Sequence, residues 1–330
     1  MTVTSSSPSP SLRHLITGAG GFLGSHLTDT LLAQGHHVTG IDNFVTGSRD
    51  NISHLQTHPN YAFIEHDLTK GLPEQLGNKG GKPNRFDRIW HLASPASPVG
   101  YVKHQVVTLK VNSCVAMQLL ELAEAHKSRI FVASTSECYG DPLEHPQRET
   151  YWGHVNSVGM RSMYDEAKRF MEAATMAYHR ERGVDTRIVR IFNTYGPRLA
   201  INDGRVVVAF ITQALRNESL TVQGEGRQTR SLCYVEDEIR GFLALMDSDY
   251  HLPVNIGNPD EVTMIDLAKE IRELCNSKSQ IIHTELPPDD PKLRCPDITL
   301  AKDRLKWTPI VSRREGLKRT IEFYRNKLGL

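Results

Sequence analysis

Tyr164 and Lys168 stand four residues apart in a stretch whose apolar spacing predicts a helix, so both side chains fall on one face, a turn from each other. An ammonium beside a phenol favours the phenolate and lowers a pKa that starts near ~10, so such a pair can take a proton from a sugar hydroxyl near neutral pH. Y-x-x-x-K is common in ordinary helices, and position gives this one its weight. Upstream, Gly18, Gly21 and Gly24 form G-x-x-G-x-x-G between an apolar run and a helical one. Without Cβ atoms, such a turn brings backbone N–H groups up to a pyrophosphate, whose charge a helix N-terminus favours. Asp42 follows Gly24 by eighteen residues. A carboxylate there accepts hydrogen bonds from a ribose diol and repels a 2′-phosphate, which favours NAD over NADP. Asp67 is placed either to meet the adenine or to cap a helix.

Positioning these groups takes a particular order of elements. Strands are expected over 12–17, 37–42, 61–67, 86–93 and 129–134, with a helix over 25–34 and the longest helical patterns over 110–126 and 163–182. Strands alternating with helices predict an α/β fold, a doubly wound parallel sheet of Rossmann type. Residues 1–11 read as a Pro/Ser-rich tail and 77–84 as a Gly/Lys-rich surface loop. The rhythm loosens beyond residue 192. The expectation is an NAD-binding domain over 12–192 and a smaller lobe over 193–330, with some chain returning to the first domain. The two long helices could pack in a bundle with a second copy, giving a homodimer.

Composition narrows the classes further. With Lys+Arg 39 against Asp+Glu 38, no global basic field is available for nucleic acid or an anionic membrane. No run approaches the roughly 20 uninterrupted apolar residues that span a bilayer. The five cysteines show neither C-x-x-C pairing nor zinc-like spacing, so no metal site is expected and the location expected is cytoplasmic.

TGAGGFLG, HLASPASP, STSECYG, YDEAK and RIFNTYGPR occur in the order and approximate spacing of the extended short-chain dehydrogenase/reductase family, which the chain resembles over nearly its whole length after the tail. HLASPASP (91–98), STSECYGDP (134–142), YWGHVN (151–156), NDGRVV (202–207), QTRSLCYVED (228–237) and DDPKLRCPDI (289–298) are similar to the branch of that family that acts on UDP-glucuronate with loss of carbon dioxide. Ala167, Met163 and Ser157-Val158 depart from that pattern without removing an acid or base.

The resemblance implies oxidation at sugar carbon 4, departure of the carboxylate and re-reduction, with NAD kept bound. It gives Tyr164 the role of base, Lys168 that of lowering its pKa and holding the nicotinamide ribose, Thr135 that of hydrogen-bonding the carbon 4 oxygen, and Glu137 that of handling a proton or water at carbon 5. Ser136 fills the slot where the family's 4,6-dehydratases carry an aspartic acid, and a serine is a poor acid for expelling a hydroxyl. Cofactor contacts are expected from Gly18, Gly21, Phe22, Leu23, Gly24, Asp42, Asn43, Phe44, Thr46, Gly47, Asp67, Leu68, Leu92 and Ser94, and substrate contacts from Lys110, Glu137, Asn193, Arg205, Arg230 and Arg294. Arg294 is expected nearest the sugar carboxylate, where a planar fork can donate two parallel hydrogen bonds. The alternatives are a UDP-glucuronate 4-epimerase or related epimerase/dehydratase, and a non-catalytic nucleotide-sugar sensor, against which the intact Tyr164, Lys168, Thr135 and Glu137 argue.

Overall fold

The computed structural model describes residues 10–76, 85–285 and 294–330. The loop expected over 77–84, most of the 1–11 tail and the start of the 289–298 stretch lie outside them. The first part of the chain runs β1 (Arg13–Thr17), α1 (Phe22–Ala33), β2 (His37–Asp42), β3 (Tyr61–Glu65), β4 (Arg88–His91), α2 (Pro98–Lys103), α3 (Gln105–Asn112), α4 (Cys114–His126), β5 (Arg129–Thr135), α5 (Ser162–Arg182) and β6 (Asp185–Ile191). The second runs β7 (Thr194–Tyr195), α6 (Val206–Leu215), β8 (Leu220–Gln223), β9 (Thr229–Ser231), β10 (Cys233–Tyr234), α7 (Val235–Asp247), β11 (Val254–Ile256), β12 (Glu261–Thr263), α8 (Met264–Leu274), β13 (Ile281–Thr284), α9 (Thr299–Leu305) and α10 (Arg313–Leu328).

Seven strands pair in the order β11-β6-β5-β4-β1-β2-β3, all parallel. The chain leaves β1 towards β2 and β3, then returns to β4 on the other side, so a crevice opens at the carboxyl ends of β1 and β4. Successive residues of a strand point to opposite faces, and here both faces are apolar. Ile16, Trp90, Phe131 and Val189 join the core that holds Phe242 and Leu245 of α7. Their neighbours Leu15, Ile89, Ile130 and Ile188 join the core that holds Val115 and Leu119 of α4 and Met171 of α5. Outside the sheet, β8 pairs with β13 and β9 with β12, beside α6, α8 and α10. β11, from the second half of the chain, closes the sheet edge beside β6.

Two expectations are corrected. The single helix expected over 110–126 is two, because Ser113 leaves helical geometry (φ −119, ψ −83), its hydroxyl donating to the Leu109 carbonyl at 2.6 Å. Together Gln105–His126 are long and apolar enough to cross a bilayer, though Lys110, Asn112 and Glu121 interrupt the run, and Val115, Ala116, Leu119 and Leu120 are buried against the sheet. The fourth strand is also shorter than expected, since the chain peels away after His91 and Leu92 to Pro95 line the crevice.

Candidate active site

The crevice gathers Gly18, Gly21, Asp42, Asn43, Thr46, Gly47, Asp67, Leu68, Leu92 and Ser94 into one pocket. A Cβ on Gly24 would lie 2.0 Å from the Gly18 carbonyl oxygen, so only glycine lets the first turn of α1 fold back onto β1. Gly21 is the N-cap of α1 and offers no side chain to its amides. The N–H groups of Phe22, Leu23 and Gly24 precede the first bond of the helix, Ser25 N–H to the Gly21 carbonyl, and suit an anion. Asp42 is aimed by accepting the Gly20 N–H at 2.9 Å and the Phe44 N–H at 2.7 Å. Burial raises its pKa against those backbone bonds. The Phe44 ring packs over Gly20 instead of lining the pocket. Asp67 caps the turn Leu68–Lys70 through the Thr69 N–H, one of the two roles foreseen for it, and it also lines the pocket.

The chemistry-bearing side chains converge where β5 ends. Its last residue, Thr135, accepts the Glu137 N–H at 3.3 Å and so caps the turn Ser136–Tyr139, while its hydroxyl also bonds the Tyr164 phenol. The turn closes on Gly140 at φ +66, where a Cβ would meet the His154 carbonyl oxygen at 1.9 Å. Arg294 locks it from below, Nη1 donating to the Ser136 and Gly140 carbonyls at 2.9 and 3.0 Å and Nη2 to Glu137 Oε2 at 3.0 Å. Arg161 donates to the same Oε2. Burial alone would raise the Glu137 carboxyl, yet Arg294, Arg161 and Arg230 outweigh it and hold the group below the usual carboxylate range.

Tyr164 and Lys168 lie on the buried stripe of α5 with Met163, Ala167, Met171 and Thr175. Their coupling differs from the expected one. Lys168 Nζ donates to the Ala133 carbonyl at 2.6 Å and stands 5.7 Å from the centre of the Tyr164 ring. Burial pushes Tyr164 up, partly opposed by the Thr135 hydrogen bond, and lowers Lys168 to about 7. Arg294 also departs from expectation: only 2% exposed, it grips Glu137 and two carbonyls instead of presenting an open fork to a sugar carboxylate. Arg205 caps α6 and donates to the Ala96 carbonyl at 3.1 Å, and its charge favours the phenolate of Tyr164. Asn193 is half-buried beside β7, its carbonyl accepting the Cys233 N–H, and Lys110 is exposed next to Val111 of the pocket.

Residues 15–320 match the GDP-mannose 4,6 dehydratase family. UDP-glucuronic acid decarboxylase 5 of Arabidopsis thaliana is 49% identical over 320 residues, 97% of this chain and 91% of that protein. UDP-glucuronic acid decarboxylase 1 of Xenopus tropicalis is 48% identical over 316 residues, 96% of this chain and 73% of that protein. The chain belongs to the UDP-glucuronic acid decarboxylases, within the extended short-chain dehydrogenase/reductase family. Among solved structures, UDP-glucuronic acid 4-epimerase from Bacillus cereus, in complex with UDP-glucuronic acid and NAD, is similar at a TM-score of 0.85 and 28% identity, covering 96% of this chain and all of that one.

As a decarboxylase-family pocket, the crevice holds residues that spacing did not single out: Val45, His66, Thr69, Ala93, Pro95, Val107 and Val111. They are loop and helix residues whose types carry no chemical signal, apart from His66, whose ring bonds the Gly71 carbonyl. Arg161 was missed as well, although it directly precedes the Tyr164 helix. Of the departures, Ala167 and Met163 are buried on α5, Met163 packing with Tyr101 and Tyr164, and Val158 is exposed.

Proposed function

We propose that this chain converts UDP-glucuronate to UDP-xylose with loss of carbon dioxide, using NAD that stays bound. The observation that carries it is a half-buried Glu137 carboxylate gripped by Arg294 and Arg161, two residues after a threonine whose hydroxyl meets Tyr164. The uncapped start of α1 and the fixed Asp42 carboxylate suit a dinucleotide with a free ribose diol. Bound there, NAD supplies the acceptor, and later the donor, of the hydride at sugar carbon 4.

Tyr164 takes the proton of the 4-hydroxyl, and Thr135 donates to the same oxygen. A ketone at carbon 4 lies β to the carboxylate on carbon 5, so the electrons left by carbon dioxide spread onto the oxygen that Thr135 faces. Glu137, held in place by its two guanidiniums, orients the water or proton that completes carbon 5. Ser136 offers no acid for expelling a hydroxyl, which separates this site from a dehydratase. Arg205, Arg230, Asn193 and Lys110 are assigned to the nucleotide and sugar.

Incubating the purified chain with UDP-glucuronate tests this reading: a product lighter by carbon dioxide, identified by NMR as UDP-xylose, is expected. A product of unchanged mass, inverted at carbon 4, would support the epimerase reading that the Bacillus cereus structure favours. The exposed Val102, Val106 and Leu109 on α2 and α3, beside the exposed Phe170 on α5, support pairing with a second copy of the chain. Five unpaired cysteines agree with a reducing, cytoplasmic setting.

A further inference from the structure

Asp165 follows the tyrosine of the pair and has no part in the reading above. It is 7% exposed, and its Oδ1 is buried with no hydrogen-bond partner. Its Oδ2 lies 4.0 Å from Nε of Arg161, one helical turn earlier. That guanidinium donates through Nη2 to Glu137 Oε2, where Arg294 donates too. Arg161 therefore serves two carboxylates, only one of which Arg294 also holds. Its guanidinium sits 5.9 Å from the centre of the Tyr101 ring, and Tyr101 stacks on Tyr164 at 4.8 Å, so a shift of Arg161 reaches both halves of the site.

We propose that Asp165 is a positioning residue for Glu137, drawing on the shared Arg161 guanidinium so that the charge on Asp165 sets how firmly Arg161 grips the Glu137 carboxylate. The inference rests on the decarboxylase reading, because it concerns the work of Glu137 at carbon 5. A neutral Asp165 leaves the charge of Arg161 to Glu137, and an ionised Asp165 competes for it. Loosening that grip raises the proton affinity of Glu137, the direction needed to bring a proton to carbon 5 once carbon dioxide has left. The charged groups acting on Asp165 are Glu137 from the turn after β5, Arg161 and Glu166 from its own helix region, and Arg294 from the far lobe. Burial first, then the Glu137 charge, push the Asp165 carboxyl up to about 7 against Arg161 and Arg294. Its unpartnered oxygen means that gaining or losing a proton breaks no existing bond there.

The pH dependence of kcat for carbon dioxide release, measured between roughly pH 6 and 8, tests this in wild type, Asp165→Asn and Asp165→Glu. A severalfold rise through neutral pH is expected in wild type, lost in Asp165→Asn with KM for UDP-glucuronate little changed, and regained in Asp165→Glu. An inflection that survives in Asp165→Asn overturns the proposal, and so does a flat wild-type profile, which needs no variant to fold. Wild type that releases no carbon dioxide at any pH marks the failure of the decarboxylase reading instead, and the role of Asp165 falls with it.

Discussion

At Lys168 a residue type that rarely enters a core sits 4% exposed, its ammonium answered by one backbone carbonyl. The tyrosine and lysine were legible from their spacing, but not the way they are coupled, because that depends on the Ala133 carbonyl brought alongside by β5. Glu137 was likewise legible as a residue. Its two guanidinium partners were not: Arg294 was expected at the sugar carboxylate and Arg161 was not expected at all, since one comes from 157 residues and the other from 24 residues along the chain. Tyr164→Phe removes the proposed base and should lower kcat by about 10²–10⁴-fold, with NAD and UDP-sugar binding retained in titrations. Near-normal turnover would remove Tyr164 from that role. Lys168 gives a second expectation through stability. Its folded pKa, lowered by burial to about 7 from 10.5, means that the unfolded chain binds the extra proton between those values. Its contribution to stability therefore rises with pH across that window and is most adverse below it. Lys168→Met should gain most in melting temperature relative to wild type below pH ~7, while losing turnover, and an equal change at every pH would refute the assignment.

Among the elements, five of the seven strands of the main sheet were legible, β4 and β5 through the adjacent apolar pairs Ile89-Trp90 and Ile130-Phe131 that serve opposite faces, whereas β6 and β11 were not expected. The break between α3 and α4 was hidden: no proline or glycine marks it, and the Ser113 hydroxyl diverts the Leu109 carbonyl only once the chain has folded. The turn Ser136–Tyr139 is the element on which the site depends. It is tied at its start by Thr135 and at its end by Gly140, and both Ser136 and Gly140 give their carbonyls to Arg294. Gly140→Ala would combine a positive φ with a Cβ driven into the His154 carbonyl, a conformation that costs roughly 1–3 kcal/mol in backbone strain before any displacement. Urea melts should show a loss of at least that size, and carbon dioxide release should suffer more than NAD binding, since the pocket of α1 lies on other strands. Equal impairment of both would mean that the turn does not act on Glu137 alone.

For the molecule as a whole, the sheet order gathers the nucleotide pocket and the Glu137 turn at neighbouring strand ends, while the second half of the chain supplies Arg294 and the edge strand β11. The sequence led to the first of these, to Arg294 as a site residue and to some chain returning to the first domain, but not to β11 itself, which is three residues long and pairs with a strand more than sixty residues earlier. The join between the halves holds a buried acid outside the chemistry. Glu238 of α7 is fully buried, and Cys233 and Thr194 approach it too loosely to satisfy either carboxyl oxygen. Burial raises its pKa well above the usual carboxylate range, so the folded chain keeps a proton that the unfolded chain releases. With more protons bound in the native state, stability from this residue falls as pH climbs past the unfolded value of 4.5, by up to about 1.4 kcal/mol for each pH unit until the folded group itself ionises. Glu238→Gln keeps the shape and has no proton to lose. Its melting temperature relative to wild type should therefore climb steadily from pH 5 to 8, and parallel curves for the two proteins over that range would show that Glu238 is not held neutral in the fold.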